Sequence, residues 1–205
     1  MAEIYSGLIQ KWLGVPVTFI DWREGGLSLK DAVAHIDRDT ATVATADIIV
    51  LEGNPYGSGV REGFGECMNQ FATETPGPYT VQDFAPYQAL TEQALATITA
   101  ARAGKPTATR VVDIYNATPD MWVELHLDAD CRSIWDAQHQ ALSQAAANGR
   151  AIFVSAYDVY NGPNHDQSPG EKGYLSSDRI HPSNIGADLM AVALDAVRYP
   201  ELTGK

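Results

Sequence analysis

The stretch DIIVLEG, residues 47–53, decides the fold. Ile48, Ile49, Val50 and Leu51 form a continuous apolar run between an acid and a Glu-Gly pair. A strand with one wet face alternates apolar and polar residues. An unbroken run belongs to a strand covered on both faces, which is the habit of parallel sheets. Three further segments read as strands around it: VPVTFID (15–21), TRVVDIYN (109–116) and AIFVSAY (151–157).

Helical patterns separate these runs. In 5–13 and the residue before it, the apolar residues Ile4, Leu8, Ile9, Trp12 and Leu13 recur at helical spacing, and Gly14 stops the helix. Ser28 is placed to cap a helix over 28–39, with Leu29, Val33 and Ile36 on one face. Further helices are expected over 83–103, ended by Gly104-Lys105-Pro106, and over 130–148, closed by Gly149. The last covers 184–199, anchored by Ile185, Leu189, Val192 and Ala196. Residues 54–81 are rich in glycine, proline and polar side chains and read as a long loop. Strands alternating with helices predict an α/β fold with a parallel sheet and helices on both faces. With no repeat and no linker, 1–205 reads as a single domain.

Composition narrows the function. The 205 residues are 45% hydrophobic and carry a formal net charge of −12. Such a surface repels nucleic-acid phosphates and anionic lipid headgroups on average, so a neutral substrate fits better. No apolar run approaches the roughly 18 residues a membrane span needs. The opening residues contain no basic segment followed by an apolar core, so they do not read as a signal peptide.

In a parallel α/β sheet, chemistry gathers at the carboxyl ends of the strands. Four features there are candidates. DRIHPSNIGADL (178–189) sets Asp178 three residues before His181, ahead of the last helix. A histidine base needs an acid to fix its tautomer and stabilise its cation, and one short loop can hold both. REGGLSLKD (23–31) contains a glycine pair whose N–H groups can face an anion. In LEGNPYGSG (51–59), Asn54 follows a buried strand, where its amide can donate to a developing oxyanion. His165 and Asp166 lie in the long loop NGPNHDQSPGEKG (161–173), and read as solvent-facing loop residues rather than a metal site. The two cysteines, Cys67 and Cys131, are either unrelated thiols or a disulfide tying two long loops; no metal-ligand spacing links them.

Taken in order, these segments resemble the SGNH/GDSL family of serine esterases and lipases, over nearly the whole chain. DRIHPSNIG is the most specific part. The resemblance implies a flavodoxin-like three-layer α/β/α sandwich and hydrolysis of carboxylic esters without a cofactor or metal. It casts His181 and Asp178 as two members of a Ser-His-Asp triad, and Gly26 and Asn54 as oxyanion-hole donors. The GPNHDQ segment and the cysteine pair look like secreted bacterial members, which implies a bonded Cys67–Cys131 pair and an extracellular, monomeric protein. The expected substrate is a small-molecule, lipid or glycan ester.

The sequence departs from the family pattern twice. The third block reads Glu52-Gly53-Asn54-Pro55 where the family usually has Gly-x-Asn-Asp. The first block, a strand ending in Gly-Asp-Ser with the nucleophile, has no counterpart among the 205 residues. Ser6 and Ser58 sit in the wrong surroundings to replace it. That first strand normally lies between the second and third, so 15–21 and 47–53 would flank an empty slot. The expectation is therefore an upstream segment bearing the first strand and the serine. The alternatives are a catalytically inactive binding module on the same fold, or a carbohydrate O-deacetylase or acyltransferase using the same triad.

Overall fold

The computed structural model describes residues 2–22, 28–55, 67 and 78–203. Three strands, β1 (Ile48–Glu52), β2 (Ala108–Val112) and β3 (Ile152–Val154), form a parallel sheet in the order β1-β2-β3. Ile48 pairs with Ala108 and Glu52 with Val112; Arg110 pairs with Ile152 and Val112 with Val154. The helices are α1 (Ala2–Leu13), α2 (Leu29–Arg38), α3 (Thr40–Val43), α4 (Ala85–Arg102), α5 (Pro119–Glu124), α6 (Asp128–Asn148), α7 (Ala156–Asn161), α8 (Asn184–Ala196) and α9 (Pro200–Thr203).

Side chains alternate across the pleat and divide the core in two. Ile49, Leu51, Val111 and Phe153 join a cluster with Leu29, Val33 and Ile36 of α2, Leu95 and Ile98 of α4, and Ile134 and Leu142 of α6. Ile48, Val50, Ala108, Val112, Ile152 and Val154 join a second cluster with Tyr5 and Ile9 of α1 and Met190 and Leu194 of α8. Both faces of the sheet are thus covered by helices, as the unbroken apolar run at 48–51 predicts.

Local chemistry sets the helix ends. Ser28 and Asp31 form a reciprocal capping box on α2: the Ser28 hydroxyl accepts from Asp31 N–H, and the Asp31 carboxylate accepts from Ser28 N–H. Arg102, buried at the last turn of α4, donates to Ala44 O, Pro106 O and the Asp47 carboxylate, tying that helix to the entrance of β1. Arg110 is fully buried within β2, where Glu201 accepts from it at 2.7 Å.

Four expectations need correction. Residues 15–21 form no strand; Val15, Phe19 and Ile20 are exposed, and Val17 packs against the second cluster. β-branched composition supplies propensity, but a strand exists only within a ladder. β1 lies at the edge of the described sheet, and Ile48, Ile49 and Val50 are only half-buried. On α8 the buried stripe is Gly186, Met190, Ala191 and Leu194, whereas Ile185 and Val192 face solvent. The spacing was right and its phase was one residue off, because glycine and alanine allow the closer approach: a Cβ on Gly186 would sit 2.2 Å from Tyr174 O. Third, β3 stops at Val154, since Ser155 caps α7 by accepting from Asp158 N–H. Fourth, Cys131 is not in a loop but in the first turns of α6.

Candidate active site

The turn before α8 is built around one carboxylate. Ser176 N–H donates to His181 O, and Leu175 and Pro182 form an antiparallel bridge, closing a tight hairpin with Arg179 at positive φ. Inside it, Asp178 Oδ1 accepts from Ile180 N–H and His181 N–H at 2.9 Å each and from the Ser176 hydroxyl at 2.7 Å. Asp178 Oδ2 lies 2.7 Å from His181 Nδ1. The amide of Ile180, then the His181 imidazole and the remaining donors hold the Asp178 carboxyl far below the usual carboxylate range. With Nδ1 committed to Asp178, Nε2 is the nitrogen left to exchange a proton, and the His181 side chain is 76% exposed.

The turn is fastened at both ends. Ser183 caps α8 by accepting from Gly186 N–H, and its hydroxyl donates to Gly173 O. On the sheet side, Tyr115 Oη donates to Ile180 O at 2.5 Å, while its ring stacks on Tyr160 with centroids 4.2 Å apart. Asn161 joins the loops after β2 and β3: it accepts from Asn116 N–H and donates to Asn116 O and Gln167 O.

The second and third sequence blocks meet. Leu29 N–H donates to Asn54 O at 2.9 Å, and Ser28 and Asn54 form a parallel bridge. Gly53 permits this contact, since a Cβ there would come within 2.8 Å of Leu29 Cα. Tyr87 Oη donates to Gly53 O and fixes the turn from the α4 side. Gly26 and Ser58 lie outside the described residues, and Ser6 spends its hydroxyl on Glu3 O within α1.

Cys67 and Cys131 form a disulfide, with Cα atoms 5.5 Å apart and both residues fully buried. Trp122 Nε1–H donates to Cys67 O at 2.7 Å, and Trp122 meets Trp135 edge-on at 4.9 Å. No helix among the described residues is long and apolar enough to cross a membrane.

A second histidine–carboxylate constellation was not read from the sequence. Asp113, the residue after β2, is 1% exposed. Its carboxylate accepts from Tyr157 N–H and the Ser155 hydroxyl and lies 2.8 Å from His139 Nδ1. That hydrogen bond to Asp113, against the cost of burial, raises the His139 pKa above the ordinary imidazole value, and the charges of Asp113, Asp158 and Asp136 add to the rise. His165 is not a solvent-facing loop residue: its side chain is 17% exposed and stacks on Tyr157 at 3.7 Å. Its Nε2 lies 2.7 Å from Asp158 and its Nδ1 3.2 Å from Asp136. A carboxylate placed directly after a buried strand was the signal available in TRVVDIYN.

No family model matches this sequence, and no curated protein sequence matches it. Among solved structures, the chain is similar to the lipase Lip_vut3 from a goat rumen metagenome, with a TM-score of 0.71 and 21% identity over 96% of this chain and 86% of that one. It is also similar to LAE5, an alpha/beta hydrolase enzyme from the metagenome of Lake Arreo in Spain, with a TM-score of 0.63 and 14% identity over 98% of this chain and 81% of that one. At these identities the likeness establishes a shared α/β fold with a parallel sheet.

Proposed function

We propose that this chain carries the acid and base of an SGNH-type carboxylic ester hydrolase with a flavodoxin-like sheet, whose nucleophilic serine lies on a segment upstream of residue 1. The observation that carries the reading is the Asp178–His181 pair: a carboxylate on Nδ1 and an exposed Nε2, on a fold shared with a lipase. In this reading the serine attacks the ester carbonyl as His181 Nε2 takes its proton. Asp178 holds the Nδ1–H and stabilises the imidazolium. The oxyanion is held by the Gly26 N–H, the Asn54 amide and the serine's own N–H, and loss of one such donor typically costs about 10²–10³ in rate. His181 then protonates the departing alcohol, and water releases the acid by the same steps in reverse.

The contact between Ser28 and Asn54 supports the oxyanion-hole assignment, because it brings the blocks bearing Gly26 and Asn54 together. The half-buried apolar β1 and the exposed Val15, Phe19 and Ile20 support a further strand between them. The disulfide is compatible with an extracellular protein, and the reading makes it a secreted one acting on an uncharged small-molecule, lipid or glycan ester. One observation favours the second reading, a binding module on the same fold: the 205 residues contain no Gly-Asp-Ser.

The coding frame upstream of residue 1 separates the two. The extended chain is expected to contain a strand ending in Gly-Asp-Ser, to react with a fluorophosphonate at that serine and to hydrolyse p-nitrophenyl esters. A stop codon directly upstream, or an extended chain that fails to label, overturns the hydrolase reading and leaves the binding module.

A further inference from the structure

The second histidine–carboxylate constellation sits at the carboxyl ends of β2 and β3 on the α6 side of the sheet, across from the Asp178–His181 turn before α8. From His139, Asp158 and His165 one donor atom each lies within 4.8 Å of the other two. Three structural pieces meet there: α6 supplies His139, α7 supplies Asp158, and the following loop supplies His165.

The cluster offers a carboxylate oxygen, and nitrogen atoms whose rings already have carboxylates behind them. His165 faces a carboxylate on each edge, Asp158 at Nε2 and Asp136 at Nδ1. At His139, Asp113 accepts from Nδ1–H, so in the neutral ring Nε2 presents a lone pair. A carboxylate behind a histidine is the usual support of a metal-ligating imidazole, because it fixes the tautomer and raises the ligand's basicity. The positions are also held from outside. Arg132 donates to the carbonyls of Asn164 and His165, the His165 ring is stacked on Tyr157, and Ser155 accepts from Asp158 N–H.

We infer that His139, Asp158 and His165 form a binding site for one zinc ion, with Asp113 and Asp136 as the carboxylates behind the two histidines. Two imidazole nitrogens with one carboxylate suit a borderline divalent ion rather than calcium or magnesium, which take oxygen ligands. Tetrahedral bonds of about 2.0–2.1 Å put ligand atoms about 3.3 Å apart, so the triad contracts modestly around the ion and His165 Nε2 moves off Asp158. With the His165 proton on Nδ1 toward Asp136, the Nε2 lone pair and the Asp158 carboxylate are both available to the metal, and a second proton on the ring would leave as the ion binds. The fourth position stays open to water. The ion fastens α6 to the start of the loop that ends in the Asp178–His181 turn.

Calorimetric titration of Zn²⁺ into the chelator-treated 205-residue chain tests this. One ion per chain is expected, with a raised thermal midpoint, and Co²⁺ in its place gives the visible d–d bands of a four-coordinate site. Asp113→Asn should weaken binding by about 10–100-fold, the usual effect of losing a carboxylate behind a ligand. His165→Gln, which keeps a polar side chain, should weaken it further while leaving the far-ultraviolet circular dichroism unchanged. His181→Ala should leave the affinity unchanged. Absence of binding overturns the assignment, as does binding that His181→Ala removes and His165→Gln spares.

Discussion

The molecule contains two histidine–aspartate constellations at the same end of one sheet, made by opposite means. Asp178 and His181 are three residues apart on one exposed turn, and every donor to the Asp178 carboxylate comes from residues 176–181. Asp113, His139, the α7 cap with Ser155 and Asp158, and His165 come from four places along 53 residues and are assembled by the fold. A local pair survives wherever its turn survives. An assembled one exists only when β2, β3, α6 and α7 are all in register. The first is therefore suited to chemistry that needs access, and the second to fastening elements together.

Removing the base of the local pair should affect rate far more than stability. In an extended, serine-bearing chain, His181→Ala is expected to lower ester turnover on the order of 10⁴-fold or more, while its exposure keeps the change in the unfolding midpoint small. Retained turnover on a p-nitrophenyl ester would remove His181 from the mechanism. The largest stability effect belongs to the assembled side, where the disulfide secures α6. Replacing Cys67 and Cys131 together by serine opens a cross-link spanning 64 residues, worth roughly 4 kcal/mol in the chain-entropy account, readable by urea titration. Asp113→Ala strands the buried Tyr157 N–H and the donors of Ser155 and His139, and should cost roughly 3 kcal/mol. A loss below 1 kcal/mol would mean that this network does not hold the loops.

Two smaller effects sharpen the contrast. Ser28→Ala removes half of the capping box on α2 and should cost about 1 kcal/mol, measured by the same titration. The pH dependence of Asp178→Asn isolates the local turn. Because the folded-state pKa of Asp178 is depressed, its contribution is present above the unfolded value of about 3.9 and is lost only as pH falls through the lower folded value. The stability difference between Asp178→Asn and the parent should thus persist at pH 4 and disappear in stronger acid. A difference that has vanished by pH 5 would contradict the hydrogen bonding around Asp178.

The same local-versus-assembled distinction explains what the sequence disclosed. The apolar run at 48–51, the Ser28 cap and the Asp178–His181 spacing are each written within about ten residues, and all three appear in the structure. The segment 15–21 misled because β-branching reports a preference and not a neighbour. The α8 stripe misled because Ile185 and Val192 outrank Gly186 and Ala191 in hydrophobicity, although the small residues make the closest approach. His165 reads from the sequence only as a loop residue, since its partners Asp136 and Asp158 reach it only through the packing of α6 against the strands.

The buried contact between Trp122 and the Cys67 carbonyl carries an optical consequence. Disulfides quench nearby indole emission, and here one indole hydrogen-bonds the backbone of a bonded cysteine while a second, Trp135, packs against the first. Cleaving the sulfur–sulfur bond should brighten the protein without any added dye. The chain thus carries an intrinsic lamp for the redox state of its own cross-link.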